Sequence, residues 1–215
     1  MKFAFLATII LYVNMCSSDN EQVHPQWEQD KLILPVSIVE PELDDMTFGD
    51  STLIFVERRK NISLVQGFTF YENENSKNDG YKFYSEVNVD NPKLWNLSKK
   101  LLANFKNDVY IVYQINEDSL TYGSQYSVTS TIDKLDKIEG EILNNCNVSI
   151  GIVQDSKVFN ELFIDESKYI QYWGNNESYF RTLMKSYGIN EKEKMNFVDE
   201  FPRTCLLYTS PSPRD

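Results

Sequence analysis

The sequence predicts an α+β chain, with a mostly antiparallel β part first and then the opening strand and helix of an α/β unit. Three observations predict this. Between residues 51 and 131, short apolar and aromatic runs alternate with polar turns, the pattern of half-buried strands. Val148-Ser-Ile-Gly-Ile-Val is a nearly unbroken apolar run, as in a strand buried on both faces, an arrangement typical of parallel sheets. From Asp165 to Tyr187, apolar residues recur at helical spacing.

Residues 1–18 carry Lys2, an apolar core from Phe3 to Val13, and Cys16 and Ser18 ahead of a cleavage expected before Asp19. These are the parts of a secretory signal peptide. The run falls short of the about 20 apolar residues a membrane span requires. A secreted, extracellular protein is therefore expected, with no membrane partner once the leader is removed. Residues 19–50, with Pro25, Pro35 and Pro41, read as an extended lead-in.

The β-rich part, 51–131, opens with Thr52-Leu-Ile-Phe-Val as a strand. Ile62 to Tyr71 forms a second strand, and the polar loop Glu72 to Gly80 joins it to Tyr81-Lys-Phe-Tyr-Ser-Glu-Val in a hairpin. Leu94 to Phe105 has the spacing of a short helix, and Asp108 to Ile115 and Tyr122 to Thr131 supply further strands. Residues 132–146, charged and punctuated by Gly140, read as a linker. Residues 147–204 read as the start of a truncated α/β unit: the Val148 strand, then a helix ending at Gly188. Gly174-Asn175-Asn176 interrupts that helical pattern, so either the helix breaks there or the glycosylation sequon at Asn176 is unused.

Residues 205–215, Cys-Leu-Leu-Tyr-Thr-Ser-Pro-Ser-Pro-Arg-Asp, resemble the translated read-through of a transposase-type sequencing adaptor. The native chain is accordingly expected to continue past Thr204. Of the three cysteines, Cys16 leaves with the leader and Cys205 belongs to the foreign string, so Cys146 is left alone. A lone secreted cysteine calls for a disulfide partner encoded downstream, or is a free thiol. N-x-S sequons at Asn61, Asn96, Asn147 and Asn176 fit a secretory glycoprotein.

The net charge is −11, which disfavours nucleic acid and anionic membranes as partners and permits a cationic one. His24, the single histidine, sits beside Pro25 in the polar lead-in and reads as a solvated bystander. No P-loop, G-x-G-x-x-G, EF-hand loop or C-x-x-C is present. Asp44-Asp45, Asp165-Glu166 and Asp199-Glu200 are sequence neighbours. A carboxylate pair working on a glycosidic bond stands across a cleft instead, so these read as solvated turns and helix starts. No catalytic residue is assigned.

Two stretches resemble the reprolysin-type zinc metalloproteases of tick saliva and insect venom. Val109 to Gly123, VYIVYQINEDSLTYG, is similar to the end of their pro-region. Val148 to Tyr172 is similar to the opening of their catalytic domain, a buried strand ending in Asp155, then aromatic Phe159, then a helix. The pattern departs from the family in Val153-Gln154-Asp155 and in the break at Gly174. The resemblance implies that 51–131 is a pro-region and 147–204 the start of a catalytic domain in a secreted metalloendopeptidase zymogen acting on protein substrates. Zinc is then expected only in the full-length protein, on the histidines of an H-E-x-x-H motif that this fragment lacks. Cys146 would be either an inhibitory thiolate ligand of that zinc or an ordinary disulfide cysteine. The alternative is a non-enzymatic, lipocalin-like secreted ligand-binding protein. Its size, acidity and aromatic strands fit, whereas a G-x-W near the first strand and two disulfides are missing.

Overall fold

Two of the strands read from sequence, Val109–Ile115 and Val148–Gln154, lie next to each other inside one large antiparallel sheet. The structure, a computed structural model, describes residues 32–40, 50–115 and 119–206. In chain order the elements are β1 (Ile38–Val39), α1 (Asp50–Lys60), β2 (Gly67–Glu72), α2 (Ser76–Asp79), β3 (Phe83–Asn88), α3 (Asn91–Leu102), β4 (Val109–Ile115) and β5 (Thr121–Tyr126). Then follow α4 (Val128–Leu135), a 3-10 turn (Asp136–Ile138), α5 (Glu139–Asn144), β6 (Val148–Gln154), β7 (Asn160–Ile164), β8 (Ile170–Gly174), α6 (Glu177–Ser186), a second 3-10 turn (Val198–Glu200) and β9 (Thr204–Cys205). The leader, His24, Asp44-Asp45 and residues 207–215 lie outside the described residues.

The seven-stranded sheet runs β2-β3-β8-β7-β6-β4-β5, with every pairing antiparallel. The chain is therefore α+β. The three strands from 147–204 lie between two pairs from 51–131 within this one sheet, β3 beside β8 and β4 beside β6. The Val148 strand is buried as expected, but its neighbours are antiparallel, because the five residues between β6 and β7 turn the chain straight back.

One face of the sheet is covered by helices. α3 buries Leu94, Trp95, Leu97, Leu101 and Leu102, α5 buries Ile142, and α6 buries Phe180 and Met184. These pack on Phe83, Val87, Ile150, Ile152, Leu162, Ile164, Ile170 and Tyr172 in a single core cluster. Phe180 is its aromatic hub, with ring centroids 5.3 Å from Phe68, 5.2 Å from Phe83 and 5.6 Å from Tyr172.

Several local expectations change. Thr52 to Val56 is helical within α1, whose far end is held by tertiary contacts. Arg58 pairs with Glu200 at 2.8 Å, and the Arg58 and Arg59 guanidinium groups lie over the Phe201 ring at 5.3 and 5.8 Å. The presumed linker 132–146 is mostly helix. Ser127 Oγ caps α4 by accepting from the Ser130 amide at 3.2 Å, and the Trp95 indole donates to Asp136 at 2.6 Å. The expected helix from Asp165 divides. Ile170, Tyr172 and Gly174 alternate inward as β8, and α6 starts only after Asn176, whose side chain accepts from the Tyr179 amide at 3.1 Å.

A smaller core of Leu32, Ile38, Leu64, Cys146, Val198 and Phe201 ties the chain ends together. Cys146 is disulfide-bonded to Cys205, across a Cα–Cα distance of 5.7 Å. The expectation of a solitary Cys146 is thus corrected, since its partner is the first residue of the adaptor-like string. No spacing rule in the sequence joins two cysteines whose meeting depends on β9 pairing with β1.

Because Phe180 contacts rings from three strands, Phe180→Ala is expected to cost about 3–5 kcal/mol. Urea unfolding followed by circular dichroism measures this.

Candidate functional site: the open aromatic face of the sheet

Strand alternation fixes what points away from the helices. Tyr71 faces Tyr84, Tyr84 faces Trp173, Trp173 faces Glu161, Glu161 faces Val153, and Val153 faces Tyr110. One row of side chains thus crosses six strands, and it is aromatic at four positions. The rings touch, with centroids 6.0 Å apart for Tyr71 and Tyr84 and 4.7 Å apart for Tyr84 and Trp173. A second row holds Thr69, Glu86, Gln171, Phe163, Gly151, Val112 and Tyr122. Gly151 is the low point of this row, because a Cβ there would come within 3.0 Å of the Phe163 ring.

The chain after α6 covers only one end of this face. Asn190 and Lys192 bond the edge of β2 through Phe68, and the Asn88 side chain donates to the Asn196 carbonyl at 3.0 Å. Phe197 packs on Tyr169 with centroids 4.7 Å apart, and the Tyr169 hydroxyl donates to Asp199 at 3.2 Å. Burial, with Asp165 close by, pushes the Asp199 carboxyl above the usual range.

Over β4, β5, β6 and β7 the face stays open and forms a groove of about 520 Å3. Val112 and Phe163 form its floor, Tyr110, Tyr122 and Phe159 its walls, and Asp155 and Glu161 bring carboxylates to it. No lysine, arginine or histidine is among the lining residues. Burial raises the Glu161 carboxyl above the ordinary glutamate value, and no described side chain donates a hydrogen bond to it. At the adjoining Tyr84 the phenol is held far above its usual range by burial and by Glu86, to which it donates at 3.0 Å. This end of the face therefore presents neutral rings and carboxylate oxygens.

The residues singled out from sequence fall elsewhere, with two exceptions. Asp155 and Phe159, named on the resemblance, both line the groove. Asn61, Asn96 and Asn176 are exposed, and Asn147 is half-buried. Asp165 and Glu166 start no helix; they form the β7–β8 turn, where Asp165 accepts from the Ser167 amide at 2.7 Å and Glu166 pairs with Arg203. Asp199-Glu200 lies in a 3-10 turn, consistent with a local structural role. Cys146, in its disulfide, offers no free thiolate to a metal here. Of the two groove carboxylates, Glu161 escaped the sequence reading. Asp155 lies in the β6–β7 connection and Glu161 on β7, six positions apart, and the hairpin brings them to one site.

No family model, curated protein or solved structure matches this chain. The reprolysin resemblance therefore rests on its two sequence stretches alone. Among the described residues, no group of three or more His, Cys, Asp or Glu is placed to hold a metal ion. None of the helices among the described residues is long and apolar enough to cross a membrane.

The raised Glu161 carboxyl carries a stability consequence. The native state binds this proton more tightly than the unfolded chain does, so the ionised side chain costs stability at neutral pH. The cost disappears as pH falls through the ordinary carboxylate range. Glu161→Gln is expected to raise the thermal midpoint at pH 7, with the gain vanishing below about pH 4. Thermal melts of both proteins across that interval measure it.

Proposed function

We propose that this chain is a secreted, non-catalytic binding module whose open sheet face holds a small organic cation with an aromatic or apolar body. The observation that carries this reading is Glu161, a half-buried carboxylate to which no described side chain donates, set among rings in a groove with no basic residue among its described lining. Ring faces attract a desolvated ammonium group, and the unpaired carboxylate supplies its counter-charge. The acidity of the whole chain, at −11, favours the approach of such a ligand over an anionic one. The face is an open sheet flanked by helices rather than a closed barrel, so the lipocalin comparison contributes the idea of a carried ligand and not an architecture.

The second reading is the precursor of a secreted zinc metalloendopeptidase with protein substrates. What favours it is the sequence resemblance, whose two stretches fall on β4–β5 and β6–β8, the strands that build the groove. In that reading this face would be the contact surface of a pro-region, and zinc would be bound by residues beyond Thr204. Sequencing the native transcript past Thr204 tests it: an encoded H-E-x-x-H helix would support it, and an immediate stop codon would remove it.

For the first reading, the ligands to compare are phenethylammonium and its carboxylate counterpart, 3-phenylpropionate. Trp173 stands in the row beside Glu161 and reports occupancy by fluorescence. Saturable quenching is expected with the amine alone, weakened about tenfold by Glu161→Gln, equivalent to about 1.4 kcal/mol. Equal affinity for the carboxylate, or no quenching by either, would overturn the assignment.

A further inference from the structure

The N-x-S sequons play no part in the groove, and their surroundings in the fold differ. Asn61, directly after α1, is exposed, and its Nδ2 donates to the Glu57 carbonyl at 3.0 Å. Asn96 is exposed on the outer stripe of α3 between Lys93 and Lys100, whereas Leu94, Leu97 and Leu101 of that helix are buried. Asn176 is exposed at the start of α6. Its Oδ1 accepts from the Tyr179 amide at 3.1 Å, and its Nδ2 donates to Asn104 Oδ1 at 3.4 Å. Because α6 begins only after Asn176, the burial that a continuous helix would have imposed on this residue is removed.

An amide nitrogen carries two hydrogens, and linking a sugar to it uses one. The carbonyl oxygen and the second hydrogen stay available. The cap on α6 and the bonds to Glu57 and Asn104 are therefore compatible with glycans on Asn176 and Asn61.

Asn147 is placed otherwise. It is half-buried, follows Cys146, and lines a concavity of about 460 Å3 with Cys146, Cys205, Glu166 and Arg203. Two ties close this concavity, the Cys146–Cys205 disulfide and the pairing of Glu166 with Arg203. A glycan is a bulky group that belongs on an open surface, and one rooted at Asn147 would crowd both ties.

We propose that Asn61, Asn96 and Asn176 carry N-linked glycans in the folded protein, and that a glycan on Asn147 and the Cys146–Cys205 disulfide exclude each other. This rests on the secretory part of the proposed function, since the sequon is modified on the secretory route. None of the three residues lines the groove. Asn96 and Asn176 sit on the helices that cover the other face of the sheet, so their sugars leave the open face bare.

The full chain, expressed with its own leader in a secretory host, tests this. Peptide N-glycosidase in heavy-oxygen water converts each occupied Asn to a labelled Asp, which mass spectrometry of unreduced peptides locates. Label is expected at positions 61, 96 and 176, and none at 147 in peptides still joined to Cys205. Cys205→Ser is expected to gain one glycan, at Asn147. Label at 147 in a disulfide-linked peptide would overturn the exclusion, and so would a bare Asn147 in the Cys205→Ser chain. An N-terminus at Asp19 with any of the other three bare would overturn their assignment alone. A retained leader would remove the secretory reading and this inference with it.

Discussion

Ile150 and Ile152 on β6 stand beside Ile164 and Leu162 on β7, and all four are buried in the cluster that includes residues of α3 and α5. Because successive side chains on a strand point to opposite faces, their burial determines where every intervening residue goes. Gly151, Val153, Glu161 and Phe163 must face outward, and the neighbouring strands pass the same constraint on to Tyr110, Trp173 and Tyr84. A register slip of one residue on β7 would move Leu162 into solvent and Glu161 into the helix-covered core. The groove thus depends on the core through the geometry of the pleat.

The helix-covered face gains stability by burying apolar surface, at about 25 cal/mol per Å2. The open face forgoes part of that gain. It keeps Tyr71 and Tyr122 exposed and leaves Glu161 half-desolvated without a donor. A chain selected only for stability would replace Glu161 with a residue that packs on Phe163 and Trp173. In the proposed binding reading, this costly carboxylate among rings is the feature a cationic ligand would use. The same tension explains why the stabilising Glu161→Gln change is also the one expected to weaken binding.

Much of the scaffold was legible in the sequence. The β2–β3 hairpin and α3 carry a two-residue or helical period over most of their length, and β4 and β6 stand out as apolar runs. What stayed hidden depended on distant partners. α1 resembles a strand in its Leu53-Ile-Phe-Val run, and the helix is anchored from outside by Glu200 and Phe201. β8 was hidden because Tyr169, Ile170 and Trp173 satisfy a helical spacing while Ile170, Tyr172 and Gly174 satisfy an alternating one. The choice falls to pairing with β3 and β7. The groove was the least legible part, since its rings and carboxylates come from three strands and the β6–β7 connection and become neighbours only once the sheet order is set. Asp155 and Phe159 were singled out for their place in a sequence pattern, without any indication that they would share a groove.

The C-terminal segment decides how much of the face remains open. It is fixed at successive points: Phe68 to Asn190 and Lys192, Tyr169 to Phe197 and Asp199, Arg58 to Glu200, Glu166 to Arg203, and finally Cys146 to Cys205. The disulfide joins residues separated by 59 positions, a closure that constrains the unfolded chain by about 4 kcal/mol on the loop-entropy account. Each of these ties lies at the β2–β3–β8 end or around the small second core, and none crosses β4, β6 or the upper part of β7. On β8 the aromatic ties to this segment are made at the strand's start, beside Tyr169, whereas Trp173 near its far end faces Glu161. The segment acts as a clamp on one end of the sheet, and the surface beyond it combines the groove's rings with the carboxylates of Asp155 and Glu161.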